Sequence, residues 1–236
     1  MRFGSLFSGA GLLDLGFERA GHTCAYHAEV DPYACRVLAK HWPGVPNFGD
    51  VRGVDPTALP QVDLLAGGFP CQDISTANVR GRPGLGGEKS GLWREYARIV
   101  EGSQPRWVVV ENSGQWRSWV PAVRGDLWRL GYASVSLQLC ASQFGAPHRR
   151  PRAWVVAHAD RNGEPLRAVD AEMARLLALP GTFRDWGQPP ARDLRVDDGV
   201  AHRMDRCRVT GNGVVVDMAR MVGLLIDRLE EGRCGA

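Results

Sequence analysis

No apolar stretch reaches the roughly 18 residues that a membrane-spanning helix needs. The N-terminus also lacks the basic and then apolar layout of a signal peptide. The six cysteines form neither a CxxC pair nor a His/Cys zinc spacing, so the sequence suggests no metal site and no disulfide framework. We therefore expect a cytoplasmic protein with reduced thiols and no bound metal. The formal net charge of +3 is too small to argue for a nucleic-acid partner by itself.

Short β-type runs alternate with helical patterns over the first two thirds of the chain. The β-type runs are Arg2–Ser8, His22–Glu29, Val62–Ala66, Trp107–Glu111, Ala133–Cys140 and Ala153–His158. The helical patterns are Leu12–Ala20, Tyr33–His41, Leu92–Glu101 and Ala122–Leu130. This alternation predicts a Rossmann-like α/β fold, with helices on both faces of a mostly parallel sheet. Because no helix pattern separates the last two runs, they are predicted to form an antiparallel edge hairpin.

After His158 the chain is rich in Arg, Asp, Gly and Pro and has little strand signal. One helical segment, Asp170–Leu179, interrupts this irregular stretch. The C-terminal run Val214–Glu230 has apolar residues at helical spacing and is predicted to pack back on the sheet. We therefore expect one main domain with a small appended region.

The end of the first strand carries a glycine turn, which predicts close approach of a ligand to the backbone at Gly9 and Gly11. The second strand ends in Glu29-Val30-Asp31, where a carboxylate can accept hydrogen bonds from ribose hydroxyls. Gly49-Asp50-Val51 is predicted to be a third strand tip, where Asp50 can accept a hydrogen bond from an adenine amino group and an apolar neighbour can line the ring. Taken singly, Asp31 and Asp50 are equally typical of helix or turn caps. Because the third glycine of a pyrophosphate loop is absent, S-adenosylmethionine is favoured over NAD or FAD.

The next strand ends in Gly67-Gly68-Phe69-Pro70-Cys71, which places a cysteine in the crevice at the carboxyl ends of the strands. A lone cysteine is more often a small core residue. Its position on a loop shaped by proline and glycine instead favours a nucleophile that faces the donor site.

Five ordered blocks resemble the DNA cytosine-5 methyltransferase family. They are Phe7-Ser8-Gly9-Ala10-Gly11, Pro70-Cys71-Gln72, Glu111-Asn112, Gly145-Ala146-Pro147-His148-Arg149-Arg150-Pro151-Arg152 and Gly211-Asn212-Gly213-Val214-Val215. The resemblance implies a Rossmann-like methyltransferase sheet, S-adenosylmethionine as methyl donor and a flipped cytosine of double-stranded DNA as acceptor.

The resemblance also implies roles for particular residues. Catalytic roles fall to Cys71, Glu111, Arg150 and Arg152. The cofactor set is Phe7, Ser8, Gly9, Gly11, Leu12, Leu13, Glu29, Val30, Asp50, Val51, Phe69, Pro70, Asn212 and Val214. Contacts with DNA are assigned to Gln72, Ser75, Arg80, Arg82 and Lys89. The last three lie on the glycine-rich loop Thr76–Gly91, which is typical of a mobile lid.

The interval available for target recognition is much shorter than in the family. We divide the chain into a catalytic and cofactor-binding domain (1–158), a reduced target-recognition region (159–210) and a C-terminal helix (211–236). Three interpretations stay open: a minimal enzyme that reads a very short site, a chain whose recognition part is supplied by a partner, or a degenerate copy that binds poorly. Oligomeric state is not predicted.

Rival functions differ in what they leave unexplained. A DNA-binding protein that retains the fold with weak or no turnover would fit the short recognition region. An RNA cytosine methyltransferase would use the same two half-sites. A nicotinamide-dependent oxidoreductase would leave Cys71 and Glu111 without a role.

Overall fold

The computed structural model describes residues 1–70, 90–113, 115–179 and 214–234. Its six strands form one sheet in the order β2-β1-β3-β4-β6-β5. The strands are β1 Arg2–Leu6, β2 Thr23–Ala28, β3 Leu64–Gly67, β4 Trp107–Ser113, β5 Ala133–Cys140 and β6 Pro151–His158. The helices are α1 Leu12–Arg19, α2 Pro32–His41, α3 Trp93–Ser103, α4 Val120–Arg129, α5 Val169–Ala178 and α6 Val216–Cys234.

The sheet confirms the predicted architecture. Strand β1 pairs in parallel with β2 and β3, and β3 pairs in parallel with β4. Strand β6 is antiparallel to both of its neighbours, so β5 and β6 form the predicted edge hairpin. Parallel strands end on the same side of a sheet, which brings the loops after β1, β2, β3 and β4 to one edge.

One predicted strand tip is absent. Asp50 does not follow a strand, because the sheet extends beyond β2 only through a single parallel bridge between His27 and Asn47. Asp50 instead begins the 3-10 turn Val51–Gly53, where its side chain accepts a hydrogen bond from the Arg52 backbone amide. The alternative interpretation of Asp50 as a turn cap is therefore correct at this position.

The central strands are apolar on both faces, as expected for a sheet covered by helices on both sides. Leu64 and Ala66 of β3 face one core cluster, whereas Leu65 faces the other. Helices α1, α5 and α6 supply the first cluster, and α3 and α4 supply the second. This two-sided burial holds the strand ends in a fixed relation to each other.

The C-terminal helix α6 packs on α1, within the core cluster on that face of the sheet. Gly16 of α1 makes this approach close, because a Cβ there would lie 2.4 Å from the Cβ of Ala219 and 2.7 Å from the carbonyl oxygen of Val216. Leu166 and Met173, which precede α6 in the chain, are buried in the same cluster. The described part of the predicted recognition region thus contributes to the main core. Among the helices of the described segments, none is long and apolar enough to cross a membrane.

Two glycine-to-alanine substitutions, one inside the α1–α6 contact and one outside it, are predicted to change stability in opposite directions. Gly16→Ala is expected to destabilise the protein by about 1–3 kcal/mol, because the added methyl group overpacks a helix crossing. Gly125→Ala is the matched control in α4, where an added Cβ meets nothing within 4 Å. That change should stabilise the protein by roughly 0.5–1 kcal/mol through helix propensity. Urea unfolding of both variants measures the two effects, and equal effects would contradict the proposed packing.

Candidate active site

Three residues of the loop after β1 have left-handed backbone conformations. Phe7 has a φ of 54°, Gly9 of 56° and Gly11 of 76°. A Cβ at Gly9 would meet nothing within 4 Å, so this residue presents open backbone. A Cβ at Gly11 would lie 2.4 Å from the Trp42 ring. Gly11 therefore makes room for Trp42, a residue that sequence reasoning did not identify.

Glu29 ties the ends of β1 and β2 together. One of its carboxylate oxygens accepts a hydrogen bond from the Gly9 amide at 2.7 Å. The other accepts from the amides of Val30 at 2.9 Å and Asp31 at 2.7 Å. A carboxylate offers about four acceptor positions, so one remains for a ligand hydroxyl. The carboxylate predicted to bind ribose thus also shapes the loop that would hold it.

The other predicted cofactor residues have different environments. The Asp31 side chain caps α2 by accepting hydrogen bonds from the Tyr33 and Ala34 amides at 3.0 Å. Arg52 pairs with Asp50 and holds the pKa of that carboxyl below its usual range. Ser8, Leu13, Val51 and Phe69 are buried, Leu12, Pro70 and Val214 are half-buried, and Val30 is exposed.

Glu111 and Asn112 lie at the end of β4, beside the loop that follows β3. Asn112 Nδ2 donates a hydrogen bond to the Phe69 carbonyl oxygen at 2.8 Å, and this bond is buried. A Cβ at Gly68 would lie 2.8 Å from Oε2 of Glu111. Gly68 therefore provides the space that the Glu111 carboxyl occupies. Sequence reasoning missed this function, although the Gly67-Gly68 pair was a signal of close backbone approach.

Two arginines surround the Glu111 carboxyl. Arg152 Nε lies 3.0 Å from Glu111 Oε1, with the side chains only 17% and 7% exposed. The pair fits the antiparallel register, in which Arg152 lies opposite Ser113. The charge of Arg150 also acts on Glu111, and its backbone has a φ of 35°. A non-glycine residue with positive φ is uncommon and costs on the order of 1–3 kcal/mol, which the surrounding fold must supply.

Burial dominates the electrostatics of this carboxyl. Desolvation raises the pKa of Glu111 from 4.5 to about 7, and the Arg152 and Arg150 charges only partly oppose it. Oε1 is buried and has no hydrogen-bond partner of normal geometry among the described residues. Near neutral pH the group is therefore divided between its acidic and ionised forms, which suits proton transfer.

Several predicted site residues lie outside the described residues. These are Cys71, Gln72, Ser75, Arg80, Arg82, Lys89 and Asn212. The structure brings together the Gly9 loop and Glu29 in one half of the site, and Glu111, Asn112, Arg152 and the Gly68–Pro70 loop in the other. Both halves lie at the carboxyl edge of the sheet.

The fold resembles that of methyltransferases of known structure. A putative DNA modification methyltransferase encoded within an E. coli prophage superposes with a TM-score of 0.55 at 24% identity, covering 67% of this chain and 46% of that one. DNMT2 of Spodoptera frugiperda gives 0.55 at 17% identity, with 78% and 53% covered. These likenesses establish the methyltransferase fold with its antiparallel strand pair.

The chain belongs to the C-5 cytosine-specific DNA methylase family, which matches residues 1–175. It is 37% identical over 169 residues to Type II methyltransferase M2.BsuMI of Bacillus subtilis, covering 66% of this chain and 42% of the relative. It is 35% identical over 162 residues to M.NgoBI of Neisseria gonorrhoeae, covering 66% and 50%. The chain thus spans about half the length of these relatives.

The raised pKa of Glu111 predicts a pH-dependent loss of stability. Between the usual carboxyl pKa of 4.5 and the folded value of about 7, the folded chain holds a proton that the unfolded chain has lost. Folding stability therefore falls as the pH rises through this window. Relative to Glu111→Gln, the wild-type free energy of unfolding should drop by about 3 kcal/mol between about pH 4 and pH 8. Urea unfolding at both pH values measures this difference.

Glu101→Gln, an exposed change near the end of α3, is the matched control. It should show no comparable change in stability relative to wild type between the two pH values. An equal pH dependence for both variants would show that burial of Glu111 is not its source.

Proposed function

We propose that this chain transfers a methyl group from S-adenosylmethionine to carbon 5 of a flipped cytosine in double-stranded DNA, with Cys71 as covalent nucleophile. The observation that carries the proposal is the buried Glu111 carboxyl, with its pKa raised to about 7, beside the loop that leads into Cys71. Family membership supports the same reaction.

The donor half of the site, formed by the Gly9 loop and Glu29, fits an adenosine-containing ligand without a pyrophosphate. Gly9 leaves the end of β1 open, and Glu29 keeps an acceptor position at the neighbouring strand end. When bound, S-adenosylmethionine supplies the methyl group from its sulfonium centre. We assign Phe7, Gly9 and Glu29 to its adenosine and methionine portions, and we assign the half-buried Val214 to the same site.

Glu111 is placed to make the cytosine ring electrophilic. Its protonated form donates to ring nitrogen N3 as the Cys71 thiolate adds to carbon 6, which turns the ring into an enamine that is nucleophilic at carbon 5. After methylation, loss of the carbon 5 proton to water or hydroxide and breakage of the sulfur–carbon bond regenerate the thiolate. Glu111 regains the N3 proton, so its two protonation states are both used.

Arg152 and Arg150 stabilise the reacting half of the site, which consists of Glu111, Asn112 and the Gly68–Pro70 loop. Arg152 pairs with Glu111 at 3.0 Å and keeps the carboxyl at the end of β4. Their guanidinium groups are suited to the cytosine carbonyl and a nearby phosphate. The residues Gln72, Ser75, Arg80, Arg82 and Lys89 follow Cys71 in the chain, and we assign them to DNA contacts around the flipped base.

The chain offers few residues for recognising the target DNA sequence. It spans about half the length of its curated relatives, and residues 159–178 of the predicted recognition region include segments that pack in the main core. We propose that base recognition uses either the remaining short segments or a separate recognition subunit. Bisulfite sequencing of DNA methylated by the purified chain, with and without candidate partner chains, identifies the target.

Removing the nucleophile tests the covalent mechanism. Cys71→Ala is expected to abolish transfer of labelled methyl groups to DNA while donor affinity, measured by calorimetry, stays within about twofold. Cys140→Ser, at a half-buried thiol that begins the turn after β5, is the control and should keep activity. Residual turnover in Cys71→Ala would overturn the covalent mechanism, and an inactive wild type would favour a fold-retaining DNA-binding protein.

The Asn112–Phe69 hydrogen bond predicts a separate effect on catalysis. Asn112→Ala should lower kcat by roughly 100-fold, because misplacement of a reacting group by about 1 Å has this cost. The Kd for S-adenosylmethionine should change less than kcat, since Asn112 bonds only the Phe69 carbonyl among the predicted cofactor residues and none of the Gly9 loop among the described contacts. Single-turnover kinetics and calorimetry separate the two quantities, and a proportional loss of both would indicate general unfolding instead.

A further inference from the structure

A cluster of metal-binding side chains lies in the core beneath the donor half of the site. Asp14 of α1 meets Cys24 and His27 of β2, and their potential ligand atoms all lie within 4.8 Å of one another. Cys24 Sγ is 3.4 Å from Nε2 of His27. The three residues are buried, with exposures of 0%, 5% and 1%.

A β-bulge creates this cluster. Residues three apart on a regular strand point to opposite faces, because side chains alternate. In β2 the register shifts so that Phe3 lies opposite Cys24 while Gly4 lies opposite Tyr26. The extra residue places Cys24 and His27 on the same face, toward α1. The sequence predicted no metal site because its spacing shows no such convergence.

The Asp14 carboxyl is fully buried with little to compensate for its loss of water. Neither of its oxygens forms a hydrogen bond of normal geometry among the described residues, although the nearby buried Ser5 hydroxyl interacts with the carboxyl. Such an unsatisfied buried carboxyl is costly, and in proteins such groups are usually paired or bind a metal ion. The carboxyl is directed into the same small space as the Cys24 thiol and the His27 ring.

We propose that Asp14, Cys24 and His27 bind one Zn²⁺ ion. Thiolate, imidazole and carboxylate are the ligand types that zinc uses in proteins. With zinc bond lengths of about 2.3 Å to sulfur and 2.0 Å to nitrogen, tetrahedral geometry sets these ligand atoms about 3.5 Å apart. The Cys24 to His27 distance of 3.4 Å agrees with that spacing. The two anionic ligands also balance the charge of a divalent ion, so the buried site is neutral.

The ion would connect α1 to β2 directly beneath the two loops of the donor half. Helix α1 begins at the Gly9–Gly11 turn, and β2 leads into Glu29. The backbone of His27 also binds Pro46 and Phe48, at 2.8 Å each. With these three protein ligands, the fourth tetrahedral position is left to a water. The site is structural, and it stabilises the elements from which the donor loops extend.

Metal titration of the chelator-treated full chain tests the proposal. Zn²⁺ is expected to bind with a stoichiometry of one and to raise Tm, and Co²⁺ should give a thiolate charge-transfer band. Cys24→Ser, which nearly preserves size, should lose that band and weaken binding by at least about 100-fold, the upper range for loss of a supporting residue. Asp14→Asn should weaken binding as well, with folding of both variants verified by circular dichroism.

Cys35→Ser is the matched control, since Cys35 is half-buried near the same strand end but lies outside the cluster. It should bind Co²⁺ with the wild-type band. Absence of stoichiometric binding by the wild type, or an unchanged band in Cys24→Ser, would falsify the zinc site. None of these readouts involves methyl transfer, so the outcome is independent of the proposed function.

Discussion

The half of the candidate site that contains Glu111, Asn112 and Arg152 depends on one buried carboxyl. Glu111 has little exposure to water, and its carboxyl lies against the backbone of Gly68 with Arg152 as its charged neighbour. Desolvation alone would keep it protonated at neutral pH, whereas the arginines draw its pKa back to about 7. A carboxyl balanced in this way can give and regain a proton within one catalytic cycle.

The same end of the sheet shows how a site can be positioned by backbone hydrogen bonds rather than by side-chain packing alone. Asn112 holds the Phe69 carbonyl, and Glu29 holds the amides of Gly9, Val30 and Asp31. Each of these side chains extends from one strand end to the loop of another. The loops are therefore fixed by their neighbours, and the two halves of the site share one rigid support in the sheet.

Much of the fold could be predicted because its strongest signals are local. The alternation of β-type runs with helical patterns indicated a mostly parallel sheet, and the missing helix between β5 and β6 indicated the hairpin. The strand ends were less predictable, since β4 continues to Ser113 and β6 begins at Pro151 through their mutual pairing. Asp50 was assigned to a strand tip on local pattern, whereas the structure shows a turn cap, because the segment before Asp50 pairs with β2 only through Asn47.

By itself, the sequence determined the alternating fold, the residue types at the strand ends and the family resemblance, because these follow from short-range pattern and motif order. Tertiary structure alone decided that Gly11 contacts Trp42, that Gly68 makes room for Glu111 and that burial raises the pKa of that carboxyl. It also decided the convergence of Asp14, Cys24 and His27, since a single register shift reverses the face on which a strand residue lies. Such contacts depend on the pairing of distant segments, which no local pattern records.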